Sequence, residues 1–310
     1  MTVTTGPRVR SGAGAGPLER RYRRLLRSYP RAYRDAYGRE LLATLLEVAE
    51  PERTLPSARE SFSLVTSGLR TRMIHMTGRP AWADGIHLGV LVLSIAHLAT
   101  LVPYATSIPL WVGLSALAVV LIMRGRVRLA LPVVTLVAVK VCAITLGRPW
   151  LDLTLLPAMP DPPWSGKALY GGGGPVAPMV GYALVVLGLL VLAPRQRGLG
   201  RRSWLWLFAV PPLAGADPAG FDFSDGPWPH TAIRVSLEIG VLLLAVWAGH
   251  TARDPRWAVA AGVRLVPILT VYAENFGLHS ERDEAHLAAL VLLTLLAAAV
   301  PYRAKQHIVL

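Results

Sequence analysis

The chain has 310 residues, of which 53% are hydrophobic and only 16% charged, and its formal net charge is +13. A soluble domain carries roughly 25% charged residues, so polar surface here is too scarce to wrap a soluble core. The single cysteine, Cys142, lies inside an apolar run and excludes a disulfide scaffold. The basic residues sit between long apolar runs, which points to a lipid bilayer as the partner and argues against nucleic acid.

Residues 1–16 are small and polar, with Ser11, Gly12, Gly14 and Gly16 among them, and read as a disordered arm. No apolar core follows before residue 86, so nothing resembles a signal peptide, and the first 84 residues are expected to stay on the side of synthesis. From Pro17 the pattern is helical. Leu18, Tyr22, Leu25, Leu26 and Tyr29 recur at helical spacing, while Arg20, Arg21, Arg23, Arg24 and Arg27 fill the remaining surface.

Tyr29-Pro30 breaks this helix, because the residue before a proline avoids the α region. Pro30 then opens a second helix, in which Tyr33, Tyr37, Leu41, Leu45 and Val48 share a stripe, and Pro51 ends it. Ser57 and Glu60 have capping-box spacing and start a third helix, with Ala58, Phe62, Val65, Leu69 and Met73 expected as its core face. Residues 17–80 are therefore expected to form a small cytoplasmic three-helix domain. Its thin core would gain stability by docking on a membrane or a partner.

Leu25-Leu26, Tyr29-Pro30, Tyr33-Arg34, Gly38, Glu40 and Leu41-Leu42 together form a recognisable pattern. It resembles the small helical prefix domain found ahead of bacterial multi-spanning proteins, in permease-prefix and HAAS-type membrane proteins. The resemblance covers about residues 20–50, reaching toward 75, and leaves the membrane region unclassified. Arg39 and Leu41 stand where that pattern commonly has an acid and a methionine. The resemblance implies a regulatory or interaction role, since HAAS-type proteins are often associated with PadR-like transcriptional regulators. It brings no catalytic residue with it.

Residues 84–303 are expected to form the transmembrane domain, with apolar runs at 86–103, 108–123, 128–147, 176–193, 203–216, 231–249, 257–273 and 285–301. A spanning helix needs roughly 20 apolar residues. The fifth run is shorter and contains Pro211-Pro212, so it either crosses as a broken span or re-enters. Charge bias selects crossing. With eight spans, the inner loops and the cytoplasmic tail (304–310) hold Arg124, Arg126, Arg128, Arg195, Arg197, Arg201, Arg202, Arg253, Arg256 and Lys305, with Arg303 at the edge of the last span. Asp254 is the one acid among them. The outer loops hold Arg148, Lys167 and Arg282 against Asp152, Asp161, Asp217, Asp222, Asp225, Glu274, Glu281, Asp283 and Glu284. The expected fold is all-α: about eight transmembrane helices behind the cytoplasmic domain, in the cell membrane, with both termini cytoplasmic. The longest outer loop, 148–175, carries Trp150 and Trp164 for the interface and a glycine run, Gly171 to Gly174, as a hinge.

Two groups of residues are candidates for function. Arg20, Arg21, Arg23, Arg24 and Arg27 suit anionic inner-leaflet headgroups, where each arginine near the surface is worth about 1 kcal/mol. Lys140, Arg234, Glu238 and Arg264 lie inside apolar runs, where charge is costly without a partner or water. Lys140 and Glu238 each lie about seven residues from an outer end, roughly 10 Å deep, so an ion pair between them is geometrically accessible. Arg234 stands one turn above Glu238, and Arg264 one turn from Pro267. These four read either as a polar site for an anionic ligand, with Glu238 as a proton-coupled group, or as structural pairing with snorkelling arginines. The structural reading carries more weight.

His279, Glu281, Asp283, Glu284 and His286, with Asp222, Asp225 and His230, are metal-ligand types at spacings that match no metal motif. His87 and His97 read as packing residues. No phosphate-binding loop or nucleophile motif occurs, and no cofactor is expected. The leading expectation is a non-enzymatic integral membrane protein whose cytoplasmic domain binds a regulator or partner subunit. The alternative is a transporter or permease subunit for a small anionic or amphipathic solute, working with a cytoplasmic ATPase subunit.

Overall fold

A computed structural model describes residues 16–49, 53–75, 80–151, 158–161, 164, 168–170, 174–214 and 228–306; the side chains of 73, 75, 197, 228–231 and 302–306 fall outside that description. The expected arm at 1–15, the Gly171 to Gly173 run and the last four residues also lie outside it. Every regular element among the described residues is a helix, and the chain divides into two compact units, Met1–Gly78 and Arg79–Leu310.

The first unit contains α1 (Pro17–Leu25), a 3-10 turn (Leu26–Ser28), α2 (Arg31–Val48) and α3 (Ala58–His75). Pro17 can open α1 because the first helical residues need no backbone donor. Leu18, Tyr22, Leu26, Tyr29 and Leu64 make the core, and Leu41, Leu42, Leu45 and Leu46 pack against it half-buried. Tyr29 stacks on Tyr33, with ring centroids 5.2 Å apart, and Tyr33 meets Tyr37 at a tilt of 46°, with centroids 5.1 Å apart. At the start of α3 the capping box closes both ways: the Ser57 amide donates to Glu60 Oε2 (3.0 Å) and the Glu60 amide donates to Ser57 Oγ (3.1 Å). Tyr22 Oη also donates to Glu60 Oε2 (2.9 Å), which ties α1 to α3.

The inward face of α3 differs from the one its apolar pattern predicts. Leu64 is buried, whereas Phe62 is 73% exposed and Leu69 41%. The reason is Gly68, where a β-carbon would collide with Ser28. The helix turns that bare position inward, so Glu60, Leu64 and Gly68 meet α1 and the 3-10 turn. Of the stripe predicted as core, Ala58, Phe62 and Leu69 face out and Val65 is half-buried. Tyr37 and Val48 of the α2 stripe are likewise exposed.

The second unit contains α4 (Ala81–Leu101), α5 (Pro109–Met123), α6 (Val127–Thr145), α7 (Val176–Leu192), α8 (Val210–Leu213), α9 (Trp228–Ala252), α10 (Arg256–Glu274) and α11 (Glu281–Gln306). Among the described residues, six helical segments are long and apolar enough to cross a membrane: Ala81–Tyr104, Val127–Thr145, Val176–Gln196, Ala232–Ala252, Arg256–Glu274 and Glu281–Pro301. This is the build of a multi-pass membrane protein. The second and fifth apolar runs form shorter helices, Pro109–Met123 and Trp204–Leu213. Pro109 delays the start of α5, and Gly125, at φ +71°, turns the chain after it. In the fifth run a 3-10 helix, Trp204–Ala209, precedes α8, whose prolines sit in its first turn.

α4 is the best-covered span, 83% buried, and α9 the least, 17%. α4 packs on α5, α7, α8 and α10. Bare positions allow the closest approaches: a β-carbon at Gly85 would lie 2.7 Å from the Arg256 carbonyl, and one at Gly89 would lie 2.8 Å from Val263. α4 and α10 therefore run parallel. α7 runs against them, with Gly188 opposite Val90 and Gly181 opposite His97. α9 and α11 run parallel to each other, with His286 near Glu238 and Pro301 near Gly249. Beyond α4, Asp161 accepts from the Thr106 amide (2.8 Å) and hydroxyl, which pins the following loop to the α4–α5 connection. These two donors, the hydroxyl first, hold the Asp161 carboxyl below its usual range.

Candidate functional site

Three of the four predicted intramembrane residues come together. Arg264 donates to Glu238 Oε1 (3.0 Å), Arg234 Nε approaches the same oxygen (4.0 Å), and His286 Nε2 lies 3.5 Å from Oε2. α9 contributes Arg234 and Glu238 one turn apart, α10 contributes Arg264 and α11 contributes His286. The side chains of Arg234, Glu238 and Arg264 are 15, 13 and 17% exposed, so the cluster is covered but not sealed. His286, an outer-loop metal-ligand type by sequence, belongs to this group instead.

Lys140 does not join them. It is 1% exposed, donates to the Trp150 carbonyl (3.1 Å), and lies 5.7 Å from the ring centroid of Trp111. α6 packs between α5 and α7, whereas Glu238 sits among α9, α10 and α11. The Lys140–Glu238 pair inferred from equal depth is replaced by a carbonyl and a cation–π contact within the α5–α6 region.

A second ionic cluster escaped the sequence reading. Asp84, in the first turn of α4, binds Arg202 through Oδ1 (2.6 Å) and Arg256 through Oδ2 (2.8 Å), and Arg256 reaches on to Asp254 (2.6 Å). Asp84, Asp254 and Arg256 are all buried. The Arg202 amide donates to the Met123 carbonyl (2.8 Å), so the end of α5 joins the same knot. By sequence these residues were loop charges serving topology. The available signal was Asp254, the one acid among the inner basic residues, beside an aspartate at the start of the first span.

The histidine and acid run around α11 is spent on structure. Asp283 accepts from the Ser280 amide (2.9 Å) and hydroxyl (2.7 Å), capping α11. His279 is stacked on Tyr272, with centroids 4.1 Å apart. Among the described residues no group of three or more His, Cys, Asp or Glu could hold a metal ion. Asp222, Asp225 and the His230 side chain lie outside the described residues. Arg20, Arg21, Arg23, Arg24 and Arg27 are all exposed, and Arg23 pairs with Glu19 one turn before it. No protein family, no curated protein and no solved structure matches the chain.

Proposed function

We propose that this is a non-enzymatic membrane protein of the cell membrane whose cytoplasmic helical unit, residues 17–80, binds a cytoplasmic regulator or partner subunit. One observation carries the reading: Phe62 and Leu69 stand exposed one above the other on α3, with half-covered Val65 between them. A stripe of apolar side chains at helical spacing, left over after a helix has made its own core, is the surface that a partner's groove or helix covers. The likeness to prefix domains points the same way. The five exposed arginines of the α1 region give the unit a basic side suited to anionic inner-leaflet headgroups.

The test is co-purification of the full-length protein from its native membrane. Phe62→Glu and Leu69→Glu are expected to release a cytoplasmic partner while the chain stays inserted. Retention of the same partner by both variants refutes the reading.

The proposed topology has eight crossings with both termini in the cytoplasm. Its support is helix direction. Arg202 is bound at the start of α4, and α9 ends beside Asp254 at that same end. Arg202 and the start of α9 thus lie at opposite ends, which supports a crossing between them. α5 returns the chain from the far end of α4 to Met123, beside Arg202. Its length of about 22 Å is accommodated by local thinning of the bilayer. The clustered arginines at that end, Arg124, Arg126 and Arg128 among them, support a cytoplasmic placement for it. In a Cys142→Ser background, cysteines at Gly198 and Ser280 are expected to label only from inside and only from outside, respectively.

Transport of a small anionic or amphipathic solute is the weaker reading. Lys140 is engaged away from Glu238 and Arg264, and the Glu238 carboxylate is already shared among Arg264, Arg234 and His286.

A further inference from the structure

Three polar side chains from three different helices meet inside the apolar body of the second unit. His97 of α4 is 3% exposed, Ser115 of α5 is 6% exposed and Tyr182 of α7 is 4% exposed. The imidazole of His97 stacks on the ring of Tyr182, with centroids 4.1 Å apart, and the Ser115 hydroxyl is a near neighbour of the Tyr182 hydroxyl. The Gly181 backbone lies beside the imidazole and the Ser115 and Tyr170 hydroxyls lie beside that of Tyr182, but neither His97 ring nitrogen, nor the Ser115 or Tyr182 hydroxyl, makes a well-aligned hydrogen bond with the protein.

A buried polar group without a partner is costly, and the hydrocarbon interior supplies no relief. Four such atoms in one place would be a large cost to carry for nothing. The place is also built to receive the imidazole. A β-carbon on Gly181 would lie 2.7–2.8 Å from the ring atoms of His97, so only a bare position lets α7 close over it.

We propose that His97, Ser115 and Tyr182 line an internal water-binding site between α4, α5 and α7. Water matches the chemistry. The neutral imidazole offers one donor and one acceptor, and each hydroxyl offers both, which is the two to four partners that a buried water requires. The surrounding wall is apolar, with Val185, Val119 and Ala118 buried along the same helices, and the Arg264 charge acts on His97 from the α10 side. Tyr170, from the segment that follows α6, brings a further hydroxyl to Tyr182. The function is to hydrate the centre of the bundle at α4.

X-ray hydroxyl-radical footprinting of the full-length protein in lipid nanodiscs tests this, because radicals generated from bound water label the side chains that touch it. Tyr182 is expected to label several-fold faster than Met123, which is 2% exposed in the apolar core although its sulfur is the more oxidisable group. Labelling of Tyr182 no faster than Met123 overturns the site. In Ser115→Ala and His97→Phe the Tyr182 rate is expected to fall several-fold, while Tyr22 in the first unit keeps its rate. An unchanged Tyr182 rate in both variants means that the three groups share no water, and it overturns the proposal even if the parent protein labels.

Discussion

At the start of α4, one aspartate holds two arginines with side chains 4, 11 and 3% exposed, whereas along α9 one glutamate holds two arginines at 13, 17 and 15%. The residue types are nearly the same and the cover is not. Around Asp84, carboxylates nearly balance guanidinium groups and lone pairs are met by short bonds, so the charges tolerate burial. Around Glu238 the balance is tipped toward cations, and the remaining exposure lets the long side chains reach polar surroundings. Burial decides how much each pairing matters, since a stranded charge costs most where nothing else can solvate it.

The comparison can be broken at either end. Asp84→Asn leaves two arginines facing a neutral amide in the sealed cluster, and about 3–5 kcal/mol of stability should be lost. Thermal unfolding of the purified full-length protein in detergent measures it. A loss no larger than that of Glu281→Gln would mean the cluster does not clamp α4 to α10. Glu238→Gln should cost less, about 1–3 kcal/mol, yet more than Glu281→Gln, whose side chain is exposed at the start of α11. Equal melting temperatures for those two variants would reduce the Glu238 cluster to surface pairing.

The first unit has a smaller lever. Ser57→Ala removes the cap on α3 and should cost about 1 kcal/mol, read as faster amide hydrogen exchange over α3 alone. Its pH response follows from the Tyr22–Glu60 contact. The Ser57 amide and then the Tyr22 hydroxyl hold the Glu60 carboxyl below its ordinary 4.5. Its contribution is therefore whole above that value and lost as pH falls through the lower folded value. Burial and then Glu60 push the Tyr22 phenol above 10.0, so its contribution is whole below 10.0 and lost as pH rises through the higher folded value. Stability of this unit should plateau between those limits, and Glu60→Gln should remove the acid limb and shrink the alkaline one, since Glu60 contributes to both. Smallest of all, Arg23→Ala breaks an exposed pair with Glu19 and should change stability by about 0.3–0.5 kcal/mol or less.

Hydropathy made the apolar runs legible because a bilayer demands length and apolarity before anything else, and six long spans follow from that alone. It could not say which face of α3 is covered. An apolar stripe marks a face that some partner will bury, and the bare position at Gly68, which chose the other face, carries no hydropathy signal. Depth was equally legible and equally incomplete. Lys140 and Glu238 were matched by distance from a helix end, which fixes one coordinate; lateral position comes from packing, and packing separated them. Asp84 was missed because an acid at the end of a span looks like ordinary interface chemistry until Arg202 and Arg256 are seen to converge on it.

The covered position of α4 has a consequence for the order in which the protein is made. Of the membrane helices it is synthesised first, yet the partners of its polar residues arrive much later: the Ile122 carbonyl for His87 comes 35 residues on, Arg202 for Asp84 comes 118 on, and Arg256 comes 172 on. During synthesis a helix destined for the centre must wait at the periphery, in contact with lipid or with the insertion machinery, while Asp84 still lacks both cations. Closure of Arg256 onto Asp84 is then a late step, available only after α9 has been completed. A chain truncated before residue 256 should insert its early helices and fail to lock them, leaving α4 open to proteolysis at the end where Asp84 stands.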